Sequence, residues 1–497
     1  MKNVIFYDTI LTPIQKLLEG KAGNKAFCIQ DQYYTFGQLS TRIQTIREKL
    51  AHTDEQYIGL IASDALDTYA AILAIWMEGK CYVPLHPLQP EARIRDIIHQ
   101  VGIKTILNPA VSGTTLTLPA VLTPDLPDVR GKIRPMVPPD DQQPAYILFT
   151  SGSTGHPKGV PVTFRNVAAF IDAYEDMGIR LKEEDRCLQM FDLTFDLSVG
   201  SYLPALLHGA CLYTVPPGSV KYQEVFRLMD TYHLTMTLMV PSVIHYLRPY
   251  LDEIEEPGVH HCLFCGEALS TDDAVQWQKA VPNARIWNVY GPTENTIFCT
   301  CYKMNAGSIS QKNGIMSIGT AMKGTGTAVI GEDHQFLKCG EEGELCLSGL
   351  QLTPGYWQDE VNNRKAFFTH EGVRWYKTGD LCIEDDSHNL LYCGRKDSQI
   401  KIQGFRVELS EIESIARHFY KEEENVVAVP VTDDSGSKSI ILVVEGEEKG
   451  TKDALARYLS QYLPAYMIPR QIMFLSRFPQ NANNKIDRRK ISEMITA

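Results

Sequence analysis

Apolar residues recur at helical spacing over residues 35–50, where Leu39, Ile43, Ile46 and Leu50 form one stripe. Short apolar runs at 57–61 and 81–85 predict strands, and the stretch 65–77 between them predicts a helix with Gly79 placed to stop it. A helix at 92–100 and a strand at 105–107 follow. The segment 109–141 is rich in Pro, Thr and Gly and predicts a wandering surface connection. The alternation then resumes: strand 146–149, helix 166–177, strand 186–190, helix 197–207, strand 210–215, helix 223–232, strand 235–240. Strands alternating with helices predict parallel sheets covered on both faces. The number of such units predicts more than one sheet.

From about residue 314 the pattern shortens. Residues 328–330 and 343–347 predict strands of a smaller β-rich unit. After Gly394 it changes again. Residues 401–408 alternate like one half-buried strand, with Gly404 as a bulge. Residues 411–419 and 452–462 predict helices, and 426–430 with 440–444 predict a hairpin around Asp433-Asp434-Ser435-Gly436. This set predicts a separate α+β domain of roughly a hundred residues.

Composition narrows the function classes. The chain has 497 residues, too many for one ordinary domain, and a formal net charge of −12 with no long basic run. That argues against nucleic acid or an anionic membrane as partner. No apolar run is long enough to span a bilayer, and residues 1–11 lack the features of a secretory leader, so the expectation is a cytoplasmic protein with no membrane insertion. Its twelve cysteines are then expected to be reduced. Cys262 and Cys265 form a CxxC, but on a strand residues three apart face opposite ways, so a zinc site is not expected.

The chemistry centres on Tyr146 to Val160, YILFTSGSTGHPKGV. A buried strand breaks into a loop with three glycines, four hydroxyls and one lysine. Free backbone N–H groups, hydroxyls and a mobile cation suit a polyphosphate. The loop is not a Walker A motif, because it lacks the Gly-Lys-Ser/Thr ending. It resembles the phosphate loop of the adenylate-forming enzymes, the family of acyl-CoA synthetases, luciferases and amino-acid adenylation domains. Later motifs recur in that family's order, so the resemblance covers nearly the whole chain.

The resemblance implies an α/β fold: a large N-terminal domain of doubly wound sheets plus a small β-rich subdomain, residues 1–394. A hinge at 395–398 with Asp397 at its pivot, and a small mobile α+β C-terminal domain at 399–497, complete it. It implies that ATP phosphates are held by Thr150, Ser151, Gly152, Ser153, Thr154, Gly155 and Lys158. Asn288-Val289-Tyr290-Gly291-Pro292-Thr293-Glu294 places an amide, a ring, a hydroxyl and a carboxylate together. These can read an adenine edge, stack on it, donate to a phosphate and hold Mg²⁺. The resemblance gives those roles to Asn288, Tyr290 with Gly291, Thr293 and Glu294. It adds Gly266 and Glu267 to the nucleotide site. It also makes Asp380, read as the end of a strand, and Arg395 ribose contacts, and Lys485 the catalytic lysine. In the lysine loop Asn484 replaces the family's usual glycine, which asparagine's tolerance of positive φ allows. His86 stands where amino-acid adenylation domains commonly carry Asp, and it is read as structural.

Phe195-Asp196-Leu197-Ser198 looks like the amino-acid adenylation branch, whose Asp anchors the substrate ammonium. A desolvated carboxylate beside a fatty chain would be costly, so Asp196 argues against an acyl-CoA synthetase. Asp192 is out of register and is read as structural. The matching side-chain pocket is Leu197, Gly200, Leu263, Cys265, Val289, Ile297 and Phe298. None is charged, and Gly200 is expected to open the pocket while Phe298 fills it. Phe264-Cys265-Gly266-Glu267 and Leu463 to Arg470 resemble the D-alanine-activating ligases that load carrier proteins. The expected function is therefore activation of a small amino acid, D-alanine first, as aminoacyl-AMP and transfer to a carrier phosphopantetheine thiol. The alternatives are a free-standing peptide-synthetase adenylation domain for another neutral amino acid and, from a different class, a homologue that binds ATP without catalysis.

Overall fold

The computed structural model describes residues 5–109, 120–129, 134–151, 157–397, 399–421, 424–432, 438–448, 452–480 and 486–496. They divide into two compact units. The first comprises Met1–Pro87, Val101–Leu148 and Gly159–Lys396; the second comprises Leu88–Gln100, Phe149–Lys158 and Asp397–Ala497.

Two large sheets make up most of the first unit. In the nine-stranded sheet, Arg186–Gln189, Met236–Met239, His261–Phe264 and Arg285–Tyr290 lie side by side and parallel. Cys211–Thr214 and Lys25–Ile29 extend it in parallel beyond Arg186–Gln189. Thr300–Lys303 turns the opposite edge antiparallel. In the six-stranded sheet, Tyr57–Ile61 and Cys81–Leu85 are parallel neighbours at the centre. Two helices, Leu66–Met77 and Leu197–Leu207, are apolar on nearly every face and buried along almost all of their length. A helix of that kind has no face to give to water. Both join one core with Tyr82 and Tyr146 of the smaller sheet and Phe27, Leu263 and Val289 of the larger.

The helix starts follow from sequence. Thr35 and Gln38 form a capping box on Phe36–Leu50, and Thr163 and Asn166 form another on Phe164–Asp176. A third sheet, built from Thr325–Ile330, Glu342–Gly349, Val373–Glu384, Phe367–His370 and Leu390–Arg395, forms the β-rich part. Here Asp380 does not end a strand, as its motif predicts. Val373–Glu384 continues through it past an irregularity in pairing with Glu342–Gly349, and Gly379 takes φ +74° there.

In the second unit, residues 401–408 are not one bulged strand. Gln399–Ile402 and Phe405–Glu408 are antiparallel, with Ile402 opposite Phe405. Gln403 and Gly404, at φ +49° and +82°, make the two-residue turn between them. Alternating polarity is the same for one strand or for two joined by a two-residue turn, so periodicity alone missed it. Val426–Thr432 and Lys438–Glu445 pair antiparallel, and Gln471–Leu475 adds in parallel. Arg93 and Glu411 form a buried ion pair at 2.6 Å within this unit.

Candidate active site

The parallel strands of the nine-stranded sheet release their chains at one end, where open α/β sheets bind ligands. Beyond Arg186–Gln189 come Asp196 and its helix, beyond His261–Phe264 come Cys265, Gly266 and Glu267, and beyond Arg285–Tyr290 comes the turn 291–298.

Asp196 immediately precedes the helix Leu197–Leu207 and is buried. Its Oδ2 accepts the backbone N–H of Ile297 at 3.2 Å. Burial raises its carboxyl to about 6; the Thr293 side chain and the Ile297 N–H pull against that shift, and the charge of Glu294 adds to it. A buried carboxylate with no cationic partner among those causes suits a ligand's ammonium. The pocket positions Leu197, Leu263, Cys265, Val289, Ile297 and Phe298 are buried in one apolar cluster. Gly200 does not open the pocket. A Cβ there would lie 2.8 Å from Cγ2 of Ile297 and 3.4 Å from the Phe298 ring, so their side chains occupy the space a larger residue would take. Phe298 in turn packs edge-on against Phe170, with ring centroids 4.9 Å apart.

The turn 291–298 is unusual. Thr296 and Ile297 have φ of +55° and +71°, and both are β-branched. Such residues cost about 1–3 kcal/mol each in that region, so the surroundings must impose the conformation. Gly291 gives the turn room, because a Cβ there would come 2.4 Å from Cα of Phe298. Sequence reasoning missed the support: the loop after Glu342–Gly349. Gln351 donates to the carbonyls of Asn295, Thr296 and Phe298, Thr353 N–H donates to the carbonyl of Glu294, and the Tyr356 hydroxyl donates to Glu294 Oε1 at 2.7 Å. Pro354-Gly355 marks a turn there in the sequence, but nothing in it shows which residues the turn reaches.

Asp380 gathers two other expected residues. Its Oδ2 accepts the Tyr290 hydroxyl at 2.5 Å and its Oδ1 accepts Arg395 at 2.6 Å, across the register that pairs Asp380 with Arg395. Asn288 is buried and its amide nitrogen donates to the carbonyls of Met316 and Ser317, which leaves its carbonyl oxygen as the group for a ligand. Glu267 accepts the N–H of Ser242 at 2.9 Å, and Gly266 takes φ +90° to turn the chain there. Asp192 pairs with Lys221 at 3.3 Å, and burial lowers the imidazole of the neighbouring His86.

In the second unit, Ser151 Oγ donates to the Arg406 carbonyl and accepts the Glu408 N–H, so its hydroxyl is engaged by backbone. Thr150 Oγ1 is buried with no partner among the described residues. Lys158 opens the strand Lys158–Thr163, and Asp397, exposed, accepts the N–H of Gln399. Gly152, Ser153, Thr154, Gly155 and Lys485 lie outside the described residues. The CxxC is not a metal site: Cys262 accepts from Thr237 and Trp277 in one core cluster, whereas Cys265 belongs to another. Nine of the twelve cysteines are buried, Cys301 and Cys393 are half-buried, and Cys339 is exposed. Among the described residues no helix is long and apolar enough to cross a membrane.

The sequence profile described as AMP-binding enzyme matches residues 15–357. The chain belongs to the AMP-binding enzyme family. As a member of that family it is an AMP-forming ligase. It is 29% identical to a D-alanine–D-alanyl carrier protein ligase of Bacillus licheniformis, over 98% of this chain and 99% of that one. It is 31% identical to the Bacillus anthracis protein of the same name, over 84% and 85%. It is also 29% identical to gramicidin S synthase 2 of Brevibacillus brevis, over 92% of this chain but 10% of that protein. Among solved structures, the Vibrio cholerae adenylation domain AlmE, in complex with glycyl-adenosine-5′-phosphate, superposes with a TM-score of 0.85 at 27% identity. It covers 98% of this chain and 97% of its own. The AlmE adenylation domain shares the α/β architecture described above.

Proposed function

We propose that this ligase activates a small neutral amino acid, D-alanine first, as its adenylate and passes it to the phosphopantetheine thiol of a carrier protein. The observation that carries the reading is Asp196: a buried carboxylate whose Oδ2 takes the Ile297 N–H, beside candidate pocket positions that are all uncharged. An ammonium supplies the missing charge, and an acidic or basic side chain finds no partner. Ile297 and Phe298 fill the space beside Gly200, which keeps the pocket small. Relatives matched end to end and named as D-alanine–D-alanyl carrier protein ligases support D-alanine and the carrier thiol.

In the first half-reaction the substrate carboxylate attacks the α-phosphorus of ATP and pyrophosphate leaves. Catalysis is then mainly positioning and charge stabilisation. Thr150 to Gly155, Lys158 and Thr293 hold phosphates, Asp380 and Arg395 hold the ribose, Tyr290 and Asn288 the adenine, with Gly266, Glu267 and Gly291 shaping its site. Lys485 bridges the carboxylate and the forming phosphoester. Glu294 is buried, with Tyr356 on one oxygen, and a carboxylate is the hard oxygen donor that magnesium takes. Mg²⁺ held there would offset charge on the phosphate oxygens. In the second half-reaction the C-terminal domain, residues 399–497, turns at Asp397, and the thiol attacks the adenylate carbonyl, releasing AMP. Cys265 crowds one face of the α-carbon and biases chirality.

A second reading keeps the chemistry and changes the amino acid to glycine, which AlmE's bound glycyl-adenosine-5′-phosphate favours. The test is amino-acid-dependent pyrophosphate exchange across glycine and an L and D panel. Strongest exchange with D-alanine is expected. Strongest exchange with glycine selects the second reading. Exchange with leucine or phenylalanine well above both removes the small-pocket reading in favour of a peptide-synthetase-type substrate.

A further inference from the structure

The turn that carries Ile297 is held in its conformation from outside the substrate site. Gln351 is fully buried and reaches it from the loop that follows Glu342–Gly349. Its Nε2 lies 3.4 Å from the Asn295 carbonyl, 3.1 Å from that of Thr296 and 2.9 Å from that of Phe298. The Thr296 hydroxyl donates back to the Gln351 carbonyl at 2.6 Å. The Gln351 carbonyl oxygen of the side chain accepts the Thr325 hydroxyl at 3.4 Å, which fixes which end of the amide faces the turn. One side chain therefore takes three carbonyls that a helix or a sheet ladder would otherwise satisfy, at the place where two β-branched residues have positive φ.

The conformation has two products on the substrate side. It aims the Ile297 N–H at Asp196 Oδ2, and it places the Ile297 methyl against Gly200. We propose that Gln351 is a positioning residue for the amino-acid site: its clamp on residues 295–298 sets both the donor on Asp196 and the wall that keeps the pocket small. Gln351 does not touch the substrate. This inference rests on the reading of Asp196 and its pocket as the amino-acid site.

The side-chain amide is essential because it donates. Gln351→Leu removes the donors, and Gln351→Glu replaces them with an acceptor facing three carbonyls. Both variants are measured beside wild type for KM of amino acid and of ATP in pyrophosphate exchange. The expected result is a rise of tenfold or more in the amino-acid KM, with the ATP KM within about twofold. Relative exchange with larger neutral amino acids should rise, because the wall beside Gly200 loosens. The pH at which the amino-acid KM begins to climb should also move upward, since Asp196 loses the N–H that favours its charged form. A merely structural role would lower both affinities, or only stability, and leave the substrate profile and the pH midpoint in place. Thr296→Gly in the Gln351→Leu background should recover part of the amino-acid KM, because glycine takes positive φ without a clamp. If Gln351→Leu does not fold, Gln351→Asn, which keeps the donor and shortens its reach, is expected to show the same changes in smaller degree. Variants with a wild-type amino-acid KM and substrate profile overturn the inference. Wild-type protein with no amino-acid-dependent exchange overturns the functional reading instead.

Discussion

Asp196 shows what a single buried group does to pH dependence. Its carboxyl is raised from 3.8 to about 6 in the folded chain, chiefly by burial. The folded pKa lies above the unfolded one, so its contribution to stability is complete below about pH 4 and is lost as pH rises through about 6. At pH 8 the free protein carries that cost, on the order of 3 kcal/mol for a shift of this size. Asp196→Asn should therefore raise resistance to urea at pH 8 and change little at pH 4, while abolishing amino-acid-dependent exchange. A bound ammonium favours the charged carboxylate, so the amino-acid KM should rise as pH falls below about 6 while the ATP KM stays flat. A flat amino-acid KM from pH 8 to 5 would remove Asp196 from the site. At the same scale, Tyr356→Phe deletes the hydroxyl on Glu294 Oε1. A hydrogen bond to a charged group is worth about 1.5–3 kcal/mol, so turnover should fall roughly ten- to a hundredfold with ATP, and the magnesium requirement should shift to higher concentration.

At the scale of elements, the clearest test is the hairpin turn Gln403-Gly404. Both residues take positive φ, and glycine there avoids the penalty of a side chain. Gly404→Ala should lower stability by about 1 kcal/mol or more, and Gln403→Asn should raise it slightly, both read from denaturation midpoints. A bulged single strand would give the opposite order of sensitivity along residues 401–408. The parallel strands and the helices were legible in the sequence, because their apolar runs are bounded by glycine and proline and helices carry stripes such as Leu39, Ile43, Ile46 and Leu50. The positions Leu197, Leu263, Cys265, Val289, Ile297 and Phe298 were named through the family resemblance and not through periodicity, and they lie in one apolar cluster. Two kinds of feature were not legible. Periodicity does not separate one strand from two joined by a tight turn, and it placed Asp380 at an end where the strand continues. Contacts between segments far apart in the chain leave no local mark either: Gln351 and Tyr356 look like ordinary loop residues until the fold brings them to 294–298. The room read at Gly200 is taken up for the same reason, since the Ile297 side chain arrives from the turn 291–298, far along the chain.

At the scale of the molecule, the contact boundary falls between Lys396 and Asp397. If the C-terminal domain, residues 399–497, turns there between half-reactions, Asp397→Pro removes an N–H, fixes φ near −65° and restricts Lys396. It should uncouple adenylate formation from thiol transfer, seen as one rate falling by at least tenfold and the other holding. Unchanged rates for both would put the pivot elsewhere. Lys485→Ala should slow only the first, by about 3 kcal/mol of barrier or more, with transfer from supplied adenylate preserved. Burial of the cysteines makes such a movement directly observable. Cys339 is the exposed thiol, and it sits on the β-rich part of the first unit. Partial desolvation and the charges of Glu384 and Asp386 raise its thiol, so maleimide coupling should run at mildly alkaline pH. One dye then attaches to the native chain without removing any cysteine, and a second at an engineered position within residues 399–497 makes a distance ruler. Its signal should step when ATP and amino acid are added together, and the Asp397→Pro protein should hold one value throughout.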